Sequence, residues 1–196
     1  MKIPEVIIKH LLKNKIKTQA DLASFKRKIG KKYRIPCPSN IELLKAYHEM
    51  VKNKMIKPSK IIENLLITRP IRSLSGIVNV SVLTKPYPCP GKCIFCPSQK
   101  DIPKSYLANE PAVQRAIANK FNPYQQVSKR LQALKETGHP TDKIELRVIG
   151  GTWSFYPKKY QEKFIGECFR ACNEFNGVYR DHLSVSLQRG GLCKLR

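Results

Sequence analysis

No apolar run in this chain approaches the roughly 20 residues of a membrane-spanning helix, and the lysines near the N-terminus leave no apolar stretch for a secretory signal. Acidic residues are scarce. Against 14 Asp or Glu stand 37 Lys or Arg, a net charge of +23 over 196 residues. So basic a chain attracts polyanions, and nucleic acid is the first partner to expect. There is no internal repeat and no low-complexity tract. The four histidines, His10, His48, His139 and His182, show no metal-type spacing, and His10 and His48 read as helix-surface residues. Seven cysteines is an odd number with three in one loop, which argues against a secreted disulfide framework and for the reducing cytosol. An apolar fraction of 41% is enough to bury a core, so the chain is not globally disordered. Its length suits one medium domain, or a small domain and a partial one.

The charge is front-loaded. Residues 1–75 carry 18 Lys or Arg against 5 Asp or Glu, a net of +13. Ile3, Val6, Ile7, His10 and Leu11 recur at helical spacing, with Pro4 suited to a first turn. Thr18 with Asp21, and Ser39 with Glu42, have the spacing that opens a helix. Behind them Leu22 and Phe25, then Leu43, Leu44, Tyr47 and Val51, form apolar stripes. Lys26, Arg27, Lys28, Lys31, Lys32 and Arg34 make a dense basic run, expected between two helices and to contact RNA. Pro36, Pro38, Pro58 and Pro70 punctuate the region. The expectation is a small helical domain with a very basic side.

From Gly76 the rhythm becomes strand and helix in alternation. Gly76–Thr84 alternates and is rich in β-branched residues, as a strand is. A Pro-broken helical stretch follows over about 110–136, then a strand at Lys143–Ile149, a helix from about Pro157 to Asn173, and a third strand near His182–Leu187. Such β-α units predict an α/β fold with a parallel sheet, in too few units to close an eight-fold barrel.

Between the first strand and the helical stretch lies Cys89-Pro-Gly-Lys-Cys93-Ile-Phe-Cys96. Three thiols spaced C-x3-C-x2-C can ligate three irons of a cubane cluster and leave the fourth iron open to a substrate. Ferredoxin runs use a fourth cysteine at another spacing. The alternative is a zinc knuckle completed by Cys37, Cys168, Cys172 or Cys193, on a non-catalytic basic module that binds tRNA. Otherwise these four are ordinary thiols, with Cys168 and Cys172 sharing a helix face. Gly150-Gly151, ending the second strand, lets backbone approach a ligand closely. The cysteine pattern resembles the signature of radical S-adenosylmethionine (SAM) enzymes. That resemblance implies that Phe95 packs near the adenine and that the glycine pair binds the amino group of SAM.

Longer strings resemble one family. Ser39-Asn-Ile-Glu-Leu-Leu-Lys-Ala-Tyr47, Arg69-Pro-Ile-Arg-Ser-Leu-Ser-Gly76, Leu83-Thr-Lys-Pro-Tyr-Pro-Cys-Pro-Gly-Lys-Cys-Ile-Phe-Cys-Pro97, Lys104-Ser-Tyr-Leu-Ala-Asn-Glu-Pro111, Gly138-His-Pro-Thr-Asp-Lys143 and Gly150-Gly-Thr-Trp-Ser-Phe-Tyr-Pro157 are similar to the Elongator catalytic subunit in its prokaryotic-type form. The resemblance covers roughly residues 35–175. It implies a basic helical tRNA-binding domain over 1–75 and, over 76–196, the first part of a radical SAM, partial TIM-like barrel. It implies an enzyme that carboxymethylates carbon 5 of the wobble uridine in tRNA, using a [4Fe–4S] cluster, SAM and acetyl-CoA. Cys89, Cys93 and Cys96 would then ligate iron, Gly150, Gly151 and Thr152 would contact SAM, and Lys143 would act in catalysis and contact acetyl-CoA. Complete members could form a homodimer, and the protein is placed in the cytoplasm. After about Asn176 the likeness fades, so the chain is expected to be a fragment without the rest of the barrel and the Gcn5-type acetyltransferase domain. Such a fragment should bind tRNA without modifying it.

Overall fold

Ser39 opens the best-defined helix of the N-terminal region. Its hydroxyl accepts the Glu42 N–H at 3.2 Å, while the Glu42 carboxylate accepts the Ser39 N–H at 2.7 Å. Two amides that a helix start leaves unpaired are thereby satisfied. In this computed structural model, which describes residues 3–13, 16 and 18–177, that helix is the third of four. They are α1 (Ile3–Lys13), α2 (Gln19–Tyr33), α3 (Asn40–Lys52) and α4 (Lys60–Leu66). Thr18 caps α2 by accepting the Asp21 N–H at 3.1 Å.

α1 packs on α3, and α3 on α4. Their inward faces meet in one apolar cluster built on Ile7, Ile8, Leu11, Leu22, Ile29, Leu43, Leu44, Tyr47, Met50, Ile62, Leu65 and Leu66. Burying each such side chain is worth about 1.5–3 kcal/mol. Tyr47 keeps its hydroxyl satisfied inside, accepting the Ser59 N–H at 2.6 Å and donating to Glu63 Oε1 at 3.1 Å. Ile8 and Met50 are buried where the apolar stripes had pointed to Val6 and Val51, which are half-buried, because the inward faces are each rotated by about one position. His10 and His48 are exposed, as expected.

The basic run is not a connector. Lys26, Arg27, Lys28, Lys31 and Lys32 lie within α2, and Arg34 is its left-handed C-terminal cap (φ 52°). Leu22 and Ile29 give this stretch a buried face, and Lys and Arg are good helix formers that suit the negative end of the helix dipole.

The chain divides into two units, the helical one taking residues up to Val78 and also Ala133–Pro140. Within it Gly138 holds φ +88°, which favours glycine, and an added Cβ would press on Ile67 and Leu44 at 3.0 and 3.1 Å. Buried His139 bonds Ser73 Oγ and the Thr68 carbonyl.

The second unit, Asn79–Gln132 and Thr141 onward, holds most of the remaining elements. In chain order these are β1 (Val78–Leu83), α5 (Pro111–Ala118), α6 (Pro123–Glu136), β2 (Ile144–Ile149) and α7 (Lys158–Phe175). The strands form a two-stranded parallel sheet. The α/β class and the Pro-broken helical stretch are as the sequence predicted. The strand expected near His182–Leu187 lies outside the described residues. Leu83, Val113 and Ala116 form a small core, with Ile102, Tyr106, Phe121 and Ile149 packed on it. No described helix is long and apolar enough to cross a membrane.

Candidate functional site

The site forms where the two parallel strands end. Gln126 of α6 reaches the end of β1, where its side-chain oxygen accepts the Leu83 N–H at 3.0 Å and its Nε2 donates to the Leu83 carbonyl at 2.9 Å. One residue on, the Thr84 N–H donates to the Ile149 carbonyl at 3.0 Å, so both strands finish level. Parallel strands send their following loops off the same edge, where α/β proteins bind ligands. Gly150 follows β2 at φ +151°, and a Cβ there would collide with Thr84 Oγ1. Only glycine fits this conformation and this approach.

The loop after β1 brings Cys89, Cys93 and Cys96 onto one cavity of about 380 Å3, lined also by Phe95, Lys104, Ser105, Gly150, Gly151 and Thr152. The Cys96 N–H donates to the Cys93 carbonyl at 3.2 Å, closing a tight turn. Gly91 leaves a gap that matters, since a Cβ there would sit 3.6 Å from both Cys89 Sγ and Cys93 Sγ, filling the space beside the two sulfurs. Cys89 Sγ lies 3.1 Å from Thr152 Oγ1. That hydroxyl, then the Gly91 N–H, hold the Cys89 thiol below its ordinary pKa, and the Lys104 charge adds to the effect. A thiol so placed ionises readily, as a metal ligand or nucleophile must. Among the described residues no three His, Cys, Asp or Glu side chains converge closely enough to hold a single metal ion. The three thiols instead ring the cavity.

The other sequence-predicted residues fall into three groups. Phe95 stands 92% exposed on the cavity rim. Lys143 is exposed and precedes β2, whereas Gly150 follows it. A six-residue strand spans about 20 Å, so the structure does not bring Lys143 to the thiols. On α2, Arg27, Lys28, Lys31, Lys32 and Arg34 are exposed, but Lys26 is half-buried and donates to Asn40 Oδ1 at 2.9 Å. Cys37 is exposed, and Cys168 and Cys172 are buried on α7. Burial, then the neighbouring Cys172, pushes the Cys168 thiol up to about 12. Cys193 lies outside the described residues.

Two lining residues have no role that the sequence alone assigns. Lys104 donates to Ser98 Oγ at 2.6 Å, and Ser105 holds φ +78° with its N–H bonded to the Pro97 carbonyl. Both sit in an irregular loop, where neither periodicity nor spacing marks a residue. Only their place within the Lys104–Pro111 string points to them.

No known family profile matches the chain. Curated proteins do. The chain is 39% identical over 180 residues to a tRNA uridine(34) acetyltransferase of Methanocaldococcus infernus, a match covering 88% of this chain and 32% of that protein. A protein of the same name from Methanocaldococcus jannaschii is 42% identical over 142 residues, covering 69% of this chain and 25% of the relative. Elongator complex protein 3 of Saccharomyces cerevisiae is 33% identical over 162 residues, covering 76% and 28%. The chain thus spans about a quarter to a third of the length of these relatives. On these likenesses the chain belongs to the Elongator catalytic subunit family.

Proposed function

We propose that this chain carries the cluster and SAM site of an enzyme that modifies the wobble uridine of tRNA by radical SAM carboxymethylation with acetyl-CoA. The observation that carries the reading is the shared cavity, which the three thiols line together with Gly150, Gly151 and Thr152. The donor set fits an iron–sulfur cluster. The thiols are soft ligands spread round a cavity, the space beside two of them is kept open by Gly91, and Cys89 is predisposed to ionise. The chemistry a [4Fe–4S] cluster supplies there is a coordination position for SAM and one electron to cleave it.

The chain's own residues do the rest. Cys89, Cys93 and Cys96 present sulfur, and Thr152 orients Cys89. Gly150 and Gly151 offer backbone N–H and C=O groups without side chains in the way, and Phe95 presents a ring to the adenine. Lys104 keeps a positive charge beside the thiols. On α2, Arg27 with Lys31 and Lys28 with Lys32 are each four residues apart, so they form one exposed basic stripe suited to tRNA phosphates. Lys143, away from the cavity, is proposed to meet acetyl-CoA at a site of its own. Because the thiols must stay reduced, we place the protein in the cytosol.

The experiment is metal analysis after anaerobic reconstitution with iron and sulfide. The expected product is brown, with broad absorption near about 400 nm. Cys89→Ala, Cys93→Ala or Cys96→Ala bleaches it, and Cys37→Ala or Cys172→Ala does not. A colourless protein with stoichiometric zinc would identify the tRNA-binding module with a structural zinc knuckle instead.

A further inference from the structure

Six aromatic rings contact one another in series between α7 and the turn before the thiol loop. Tyr87 stacks on Tyr156 with centroids 4.8 Å apart, and Tyr156 stacks on Tyr160 at 5.0 Å. Phe164 closes the column from below, 5.7 Å from Tyr160, and Trp153 stands beside it, 6.0 Å from Tyr156 and 5.6 Å from Phe164. Phe155 leans on Tyr87 at 6.1 Å. The lower rings have a structural purpose, since Tyr156 and Phe164 are buried. The upper pair does not share it. Tyr87 is half-buried and Phe155 is 47% exposed.

The column is fixed to the turn that launches the thiol loop. The Tyr156 hydroxyl donates to the Lys85 carbonyl at 2.8 Å, so the Thr84 hydroxyl, also 2.8 Å away, is its donor. The Lys85 N–H donates to the Tyr160 hydroxyl at 3.1 Å. Tyr87 precedes Cys89 by two residues, and Phe155 follows Thr152 by three. Two partly exposed rings, packed on this column, therefore lie within three residues of Cys89 and Thr152, which line the thiol cavity. Basic residues surround them. The Lys85 ammonium lies 4.9 Å from the Tyr160 ring centroid, and Lys158 and Lys159 are exposed just beyond Phe155.

Exposed ring faces among lysines match the chemistry of an unpaired nucleotide. The base stacks on a ring and the cations meet the flanking phosphates. A double helix cannot use such rings, because its bases are already stacked. We propose that Tyr87 and Phe155 form a stacking platform for an unpaired nucleobase of the RNA substrate, at the entrance to the thiol cavity. The proposal rests on the tRNA-modifying reading and adds to it the surface that would receive a base from a single-stranded loop.

Trp153, the only tryptophan in the chain, is the reporter. Its emission is followed while the chain is titrated with an RNA hairpin bearing an unpaired loop, or with an RNA duplex of equal length. The hairpin should quench Trp153 and the duplex should not. Phe155→Ala should weaken hairpin binding about 5- to 150-fold, the range for removing one base–aromatic stack. It should leave duplex affinity and the salt dependence of binding unchanged, and Phe155→Tyr should restore hairpin affinity. Circular dichroism checks that the variants fold. Wild-type hairpin affinity in Phe155→Ala, or an equal loss for hairpin and duplex, overturns the proposal and leaves the rings to a protein partner. Because the readout is RNA affinity, zinc in place of iron would end the radical SAM reading without altering these values. Failure of the platform would likewise leave the iron content untouched.

Discussion

The two units of this molecule organise their buried apolar residues differently. In the helical unit, side chains from all four helices enter one continuous cluster, and the polar atoms of buried Tyr47 and His139 have hydrogen-bond partners. In the α/β unit, β1 is buried at Val80, Val82 and Leu83, while β2 has no buried residue. Parallel sheets normally have both faces covered. Here one face carries half-buried Asn79 and exposed Glu145 and Arg147, linked by hydrogen bonds. Large apolar groups of this unit, Ile94, Phe95 and Phe155, are exposed, and Phe95 lines the thiol cavity. The difference lies in the core. The helical unit gathers one continuous cluster, although Ile61, Ile71 and Leu74 stay exposed on it, whereas the α/β unit sets its thiol cavity beside a strand with no buried residue.

Cavity-making substitutions test this division most severely. Leu43→Ala, in the helical cluster, should cost about 2–5 kcal/mol in urea unfolding, as a Leu deletion at a fully buried site does. Cys93→Ala, exposed on the cavity, should cost less than about 0.5 kcal/mol in the metal-free chain. Equal costs would erase the contrast.

Charge gives the second test. Changing Arg27, Lys28, Lys31 and Lys32 together to Gln should flatten the dependence of log K on log salt for tRNA by up to about 3 units, at roughly 0.7–0.9 for each phosphate no longer neutralised. Cys89→Ala should leave the slope where it was. A slope untouched by the four Gln residues would move phosphate binding off α2.

Much of this was legible because the signals are local. The capping pairs at Thr18–Asp21 and Ser39–Glu42, the alternation in β1, the thiol loop and the glycine pair each need only a few consecutive residues. The basic run was misplaced because charge density obscured a weak periodicity, in which Leu22, Phe25 and Ile29 mark a helix face only once α2 is known to continue. The assignment of Ala133–Pro140 to the helical unit could not be read at all. It depends on Gly138 and His139 meeting Ile67, Thr68 and Ser73, residues far away in sequence. Lys104, Ser105 and the platform of Tyr87 and Phe155 were missed for the same reason, since their loops converge only in three dimensions.

Thiol chemistry gives the third test. Cys89, held below its ordinary pKa chiefly by the Thr152 hydroxyl, should react with iodoacetamide faster than Cys93 near pH 7, and Thr152→Val should slow it. Mass spectrometry at timed intervals reads both rates. Cys168 behaves in the opposite sense. Its raised pKa means that the folded chain keeps a proton the unfolded chain loses, so this contribution to stability is whole below pH 9.0 and erodes as pH rises toward about 12. Cys168→Ala should make that alkaline decline shallower, while no change in the decline would place its origin elsewhere.

The central claim, that Cys89, Cys93 and Cys96 hold a cluster with one iron left for SAM, is tested most directly by electron paramagnetic resonance. The reconstituted chain is reduced and its spectrum recorded before and after SAM is added. The account predicts a cluster signal whose g values shift on addition of SAM, because the cofactor enters the coordination sphere of the open iron. A reduced cluster whose spectrum is identical with and without SAM would contradict it.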